Sequence, residues 1–512
     1  VLRRLLIFYL KCIKKINAPS GIIGFSCQKY TNQTFLIHPE TKTTLTFNQW
    51  KERTQRLAIF LNGAGLHNGD VLAFSAPNCL EYFEMRCASH LSGIVFLGLP
   101  AHLNQEDIAY FLNKTQAKAL FYRRTQNNLD IDALRQITQA SHFFNLDGPA
   151  YKEIFQESAI IRPPAGRAGN TPSDTATFNL SSATTGKTPK IIQLTNKNWT
   201  ESVYNYIRNS DVQPNKKIVF LCAVSFLSAG STTFLPSILA GAAQVIINED
   251  FTPESLVNYI TQYKANYLYI TPSRLLELLE YCKANDRHLD PLENIITGTE
   301  RIPAIKLKEA VDFFGPIITV GYGMAEALPP LAMLSPQDYA NKDSSLNIHR
   351  LDSAGKIAKG VAVKILSDGR IAVKSNTVSC GYLDNPEENV KCFKDEWFHT
   401  NDYGFIDKEG FLHILGRKEE VLTQAPRLIF AKEVEDKIYE LPFIKRCSGI
   451  ARGGRVFVFV SLREKIVPQE AGKKILECLK NSNLMEFLTI NDIIIKESLP
   501  INFAGKLDRR SM

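Results

Sequence analysis

The sequence predicts an α/β fold with parallel sheets, on three observations. Apolar runs of strand length alternate with helix-length amphipathic stretches along residues 45–122 and again along residues 217–320, which is the pattern of parallel strands with helices on their faces. From residue 352 to 415 the texture changes to short β-runs broken by Gly and Asp, the mark of an antiparallel β subdomain. After Arg417 helical and strand patterns mix in a stretch of small-domain length. The expected architecture is therefore a large N-terminal domain, residues 1–416, of parallel α/β subdomains plus a β subdomain, and a small α+β C-terminal domain, residues 417–512.

The elements follow in order. Residues 47–64 read as a helix closed near Gly63 or Gly65, 70–74 as a buried strand, 78–91 as a helix, 94–98 as a strand and 104–112 as a helix. Residues 147–174 are rich in Pro, Gly and polar residues and read as a connection. Strands are expected at 190–195, 217–221, 244–247, 267–270 and 317–320, with helices at 253–263 and 272–282. The β subdomain takes 361–366, 370–373, 396–400 and 411–415, and the last domain a helix at 432–441 and a strand at 456–460.

Composition narrows the class. A chain of 512 residues with 45% hydrophobic and 22% charged residues is an ordinary globular protein of two or more domains. The net charge of +8 is a mild bias over this length, and no block of like charges resembles a nucleic-acid arm. Ten cysteines are scattered without C-x-x-C or zinc spacing, which reads as free thiols in a reducing, cytoplasmic compartment. No apolar run is long enough to span a bilayer. Residues 1–15, basic with a short apolar run, read as a first helix packed on the domain; peripheral membrane contact through an amphipathic helix is the alternative.

The densest chemistry lies in Ser181-Ser182-Ala183-Thr184-Thr185-Gly186-Lys187-Thr188-Pro189-Lys190, which packs five hydroxyls, one glycine and two lysines into ten positions. Hydroxyls and backbone N–H groups donate to phosphate oxygens, a glycine admits close approach and a lysine balances charge. The segment lacks the first glycine of a P-loop. It runs through Pro189 into a β-branched stretch, whereas a P-loop opens into a helix. A Ser/Thr-rich surface turn is the plain alternative.

Further along lie Gly321-Tyr322-Gly323-Met324-Ala325-Glu326, Thr400-Asn401-Asp402-Tyr403-Gly404, Gly416-Arg417-Lys418-Glu419 and Asn502-Phe503-Ala504-Gly505-Lys506-Leu507-Asp508-Arg509. In order and spacing these motifs, with the hydroxyl-rich loop, resemble the adenylate-forming superfamily of acyl-CoA synthetases and acyl-AMP ligases, from about residue 46 to residue 510.

The resemblance implies ATP-dependent activation of a carboxylic acid to an acyl-adenylate, followed by thioester formation with CoA. Such chemistry needs cations and N–H donors more than a base, because two anions meet and charge shifts onto pyrophosphate. It assigns Ser181, Ser182, Thr184, Thr185, Gly186 and Lys190 to the ATP phosphates. Gly298, Thr299, Glu300, Tyr322 and Gly323 fall to the adenine, Asp402 and Arg417 to the ribose, and Glu326 to Mg²⁺. Lys506 is the catalytic lysine that bridges carboxylate and α-phosphate, and Glu419 the hinge of a mobile C-terminal domain, whose rotation lets one cleft serve two reactions. Phe226, Leu227 and Gly230 are expected at the acyl pocket, which carries no acidic residue for an α-amino group and so suits a fatty or aryl acid.

Four departures from the family pattern bear on activity. Ala183 stands where the family has glycine, and Leu227 where it has the acyl-pocket histidine. Ala325 replaces a threonine, removing a hydroxyl donor at a cost of about 1–3 kcal/mol. Pro426 replaces a glycine beside the expected thiol tunnel. An acyl-AMP ligase that loads the phosphopantetheine of an acyl carrier protein, or a non-catalytic nucleotide- or acyl-binding member, is the alternative these departures leave open.

Overall fold

The structure is a computed structural model. It describes residues 16–123, 129–156, 170–181, 189–210, 217–341, 345–424, 427–463, 466–479, 488–502 and 506–512. The expected helix at residues 1–15, and Ser182, Ala183, Thr184, Thr185, Gly186 and Pro426, lie outside them.

Two large sheets carry the N-terminal part. The first has nine strands, in the order Lys356–Ile357, Ala332–Leu334, Ile318–Tyr322, Asn294–Gly298, Tyr267–Ile270, Val219–Cys222, Ala243–Val245, Thr34–His38 and Thr43–Thr46. From Ile318–Tyr322 through to Thr34–His38 neighbouring strands run parallel, and antiparallel strands close both edges. The second has seven strands, with Val71–Ser75 and Val95–Gly98 at its centre and an antiparallel hairpin, Thr175–Leu180 with Ile191–Thr195, towards one edge. Pro189 and Lys190 run into the strand Ile191–Thr195, as the β-branched continuation predicts, and not into the helix that a P-loop requires.

The helix Phe47–Gly63 begins in a capping box between Thr46 and Gln49 and buries Phe47, Trp50, Leu57, Ala58 and Leu61, the apolar stripe of a 3.6-residue period. The helix Asn196–Asn209 buries the stripe Trp199, Val203 and Ile207, and beside it Asn196, Asn198, Ser202 and Asn205 are buried too. Asn198 shows why: its Nδ2 donates to the carbonyls of Asn376 at 2.9 Å and Val378 at 2.8 Å, tying the helix to the β subdomain.

That β subdomain is an antiparallel sheet of Val361–Ile365, Arg370–Ser375, Trp397–Ile406, Phe393–Lys394 and Leu412–Arg417. Residues after Thr423 build a core of their own, in which Val434, Ile438, Ile444, Val458 and Ile475 are fully buried. It lies among the helices Ala431–Tyr439 and Pro468–Leu479 and a three-stranded sheet. The nine described cysteines are free thiols, six of them buried. Among the described residues no helix is long and apolar enough to cross a membrane.

Candidate active site

A cleft of about 1840 Å³ opens at the C-terminal ends of the parallel strands, between the nine-stranded sheet, the β subdomain and the last domain. Ligands of open α/β sheets bind outside such strand ends. Here the strand Asn294–Gly298 ends in Gly298, which pairs directly across the ladder with Gly321, one residue before the end of the strand Ile318–Tyr322. A Cβ on Gly298 would lie 2.5 Å from the Gly321 carbonyl oxygen, so the close approach itself requires glycine. Thr299 follows with φ of 77°, a left-handed conformation that is strained for a β-branched residue. Its hydroxyl is buried without a partner among the described residues. Strain and an orphaned donor at a strand end in the cleft fit a site that holds a polar ligand.

Asp402 and Arg417 face each other because their strands pair in that register. Arg417 Nε donates to Asp402 Oδ1 at 3.1 Å, and the Tyr322 hydroxyl donates to Oδ2 at 2.6 Å. Asp402 is 5% exposed, and burial together with this carboxylate pushes the Tyr322 phenol well above its ordinary range. Fifteen residues of sequence thus become one cross-strand pair, with the tyrosine delivered from another sheet.

Lys190 and Ser181 form the neck of the hydroxyl-rich loop. Ser181 N donates to the Lys190 carbonyl at 2.9 Å, and Lys190 N donates to the Ser181 hydroxyl oxygen at 2.9 Å. The Lys190 ammonium sits 4.7 Å from the centre of the Tyr382 ring and is ion-paired with Glu388. The hydrogen bond from Lys190 holds the Glu388 carboxyl below its usual range. The Tyr382 hydroxyl donates to Glu326 Oε1 at 3.0 Å. Glu326 lines the cleft, and no group of three His, Cys, Asp or Glu side chains that could hold a metal exists among the described residues. A single carboxylate suits Mg²⁺, which takes its other ligands from phosphates and water, and does not suit a metal that needs a protein cage.

Lys506 also lines the cleft. Its N–H donates to Asn502 Oδ1 at 3.1 Å, and Asn502 N donates back to the Lys506 carbonyl at 2.7 Å. Burial pushes its ammonium down to about 8; Arg417 adds to the shift and Glu300 opposes it. Glu300 is engaged on both oxygens, accepting from Ser273 N at 2.9 Å and from Leu507 N at 3.3 Å. It therefore fastens the Lys506 segment to the strand end as well as facing the cleft. The last domain is held across the cleft by further bonds that no motif announces. Arg446 donates to the Ser273 carbonyl at 2.9 Å and to Glu277 at 3.0 Å, Lys432 pairs with Asp352 at 2.7 Å, and Arg301 pairs with Asp436. Glu419 sits in the short 3-10 turn Lys418–Glu420 between the two parts.

The acyl pocket needs a correction. Leu227 lines the cleft, but Phe226 and Gly230 do not. Phe226 is 3% exposed and stacks on Tyr82 at 5.1 Å, within the aromatic core that also holds Phe83 and Phe234. Gly230 is glycine for local packing, since a Cβ there would lie 2.6 Å from the Ser225 carbonyl oxygen. The cleft is lined there by Tyr206, Tyr267, Tyr269, Asn294 and Thr319, and elsewhere by Leu328, Pro329 and Pro330. Strand alternation is the signal that finds the first group: in Tyr-Leu-Tyr-Ile at 267–270, Leu268 and Ile270 face the packed helices and the tyrosines face the cleft.

Similarity agrees with this geometry. The family described as AMP-binding enzyme matches residues 25–383. A feruloyl-CoA synthase from Amycolatopsis is 24% identical over 488 residues, covering 91% of this chain and 92% of the relative. A 2-succinylbenzoate–CoA ligase from Listeria innocua is 24% identical over 471 residues, covering 91% and 93%. Among solved structures, an anthranilate CoA ligase in complex with anthranoyl-AMP superposes with a TM-score of 0.84 at 18% identity, covering 96% of each chain. The O-succinylbenzoate coenzyme A synthetase of Bacillus subtilis in complex with AMP gives 0.79 at 21% identity, covering 96% of this chain and 97% of the other. By the span of the family match and the cleft it encloses, this chain belongs to the AMP-binding enzyme family.

Proposed function

We propose that the protein activates a fatty or aryl carboxylic acid with ATP and transfers the acyl group to CoA. In the first step a carboxylate oxygen attacks the α-phosphorus, and the bond to pyrophosphate breaks. In the second the CoA sulfur, having lost its proton, attacks the acyl carbonyl, and AMP leaves. The observation that carries this reading is Lys506, a cation partly withdrawn from water in the cleft, facing Arg417 and Glu300. It is suited to stabilise charge that develops between carboxylate and α-phosphate, and in a dry site that stabilisation is strong.

The other residues take supporting roles. Asp402 and Arg417 hold the ribose, and Tyr322 packs on the base. Lys190 and Ser181, with the loop between them, hold the outer phosphates. Glu326 holds Mg²⁺, which offsets phosphate charge. The separate core beyond Thr423 supports a division into domains 1–416 and 417–512, with Glu419 at the hinge. Rotation there withdraws Lys506 after adenylation and opens the cleft to the thiol.

The test is ATP–pyrophosphate exchange with pooled aryl and fatty acids, followed by addition of CoA. Acid-dependent exchange without CoA, and acyl-CoA with it, is the expected outcome. Protein that binds ATP yet exchanges with no acid overturns the proposal.

A further inference from the structure

One face of the nine-stranded sheet is filled by helices; the other packs on the aromatic core at Phe220 and Cys222 and opens into the cleft beside it, at the next strands. Leu268, Ile270, Ile295 and Ile318 point into the helical layer and are fully buried. The alternate residues Tyr267, Tyr269, Asn294, Ile296 and Thr319 point the other way and line the cleft. They stand side by side, since Tyr267 pairs with Asn294, Tyr269 with Ile296, and Ile296 with Thr319. From Gly298 at the strand end to Asn294 is four residues, or about 13 Å at the usual rise of a strand. The hollow therefore runs from the adenylation end, past Tyr269, Ile296 and Thr319 side by side, to a remote end floored by Tyr267 and Asn294.

The remote end is polar but uncharged. Tyr206, from the helix Asn196–Asn209, closes it within electrostatic reach of Tyr267 and Tyr269. The hydroxyls of Tyr206 and Tyr269 form no hydrogen bond with any other described residue, although both side chains line the cleft. Burial pushes both phenols upward, so they remain protonated donors. Asn294 is fixed by its Nδ2 donating to Thr319 Oγ1 at 3.1 Å. Among the described lining residues between 196 and 298 there is no Lys, Arg or His for a second carboxylate, and no Asp or Glu for an amine.

Resting on the acid-activation reading above, we infer that the substrate is an aryl acid with a neutral oxygen substituent, a hydroxyl or ether, at the end remote from its carboxylate, bound there by Tyr206 and Tyr269. The three tyrosine rings give flat walls for a ring, and the two phenols supply the donors its oxygen accepts. An alkyl tail in the same place would strand both hydroxyls away from water, and sites built around such bonds strongly reject the analogue that lacks the group.

The experiment compares 4-hydroxycinnamate, cinnamate and decanoate, both by calorimetric binding and by ATP–pyrophosphate exchange. The wild-type chain is set beside a Tyr206→Phe/Tyr269→Phe variant and each single variant. The hydroxy acid is expected to bind at least about tenfold more tightly than cinnamate and to show the same preference in kcat/KM. In the double variant that ratio should fall to within about twofold. Equal or tighter binding of cinnamate or decanoate, a ratio unmoved in the variants, or no binding of any of the three acids overturns the inference. A tenfold binding preference without exchange would support this pocket while refuting acid activation, so the two proposals fail separately.

Discussion

At the end of the cleft proposed for the nucleotide the charged side chains other than Lys506 already hold one another. Lys190 is paired with Glu388, Arg417 and Tyr322 with Asp402, and Tyr382 with Glu326. At the end proposed for the acyl group the hydroxyls of Tyr206 and Tyr269 bond to no other described residue, although both side chains line the cleft. The difference follows from what each end must survive without ligand. An isolated charge withdrawn from water is too costly to leave alone, so a site for a polyanion carries internal counterions that the ligand exchanges. A neutral hydroxyl costs far less and can be satisfied by water until substrate arrives. Chemistry at the first end should therefore respond to charge, and at the second to shape and single hydrogen bonds.

The comparison breaks most sharply at Lys506. Lys506→Ala should lower acid-dependent exchange by about 10²–10³-fold while changing the Kd for ATP by less than about twofold; an equal loss of ATP binding would make Lys506 a structural residue. Asp402→Ala removes the acceptor of both Arg417 and Tyr322. It should weaken ATP binding by about tenfold to a hundredfold, the worth of a charge-assisted bond, with the affinity for the acid unchanged. Loss of acid affinity to the same degree would show that the two ends are not independent.

The pH dependence comes next in size. Burial disfavours the charged form of Lys506, so the free enzyme loses this ammonium as pH rises through about 8. With ATP varied, kcat/KM should fall by about tenfold per pH unit above that value. The limb in kcat should lie higher, because bound phosphates favour the ammonium. A profile flat to pH 10 would remove Lys506 from the charge balance. The depressed value also means that the unfolded chain binds this proton more tightly. This group's contribution to stability therefore grows as pH rises above about 8.

Glu388 offers the finest test. It competes with phosphate for Lys190, so Glu388→Gln should lower the KM for ATP by about two- to fivefold and leave the KM for the acid alone. A raised KM would show instead that Glu388 aims Lys190 at the nucleotide.

Much of this was legible before any coordinates. The helix Pro253–Tyr263 and the strand Tyr267–Ile270 lie where periodicity and a leading Pro or flanking turn place them. Local chemistry writes such elements directly into composition. The buried polar half of the helix Asn196–Asn209 was not legible: Trp199, Val203 and Ile207 form an apolar stripe, but burial of Asn198 and Ser202 depends on partners in residues 329, 376 and 378. Phe226 was misplaced for a related reason. An aromatic beside a Ser/Gly loop suits a pocket or a core equally well, and only Tyr82, Phe83 and Phe234, arriving from elsewhere in the chain, decide for the core.

The sequence by itself determined the alternating α/β architecture and the family, and it singled out Lys190, Tyr322, Glu326, Asp402, Arg417 and Lys506 as candidates, since each sits in a motif whose spacing is a property of the chain. Only the tertiary structure decided who partners whom. Asp402 meets Tyr322 across 80 residues and Lys190 meets Glu388 across 198. Tyr206 joins Tyr267 and Tyr269 at the end of a hollow that no local pattern announces. Local preferences act over a few bonds along the chain, whereas burial and charge pairing act through space once the sheets have brought distant segments together.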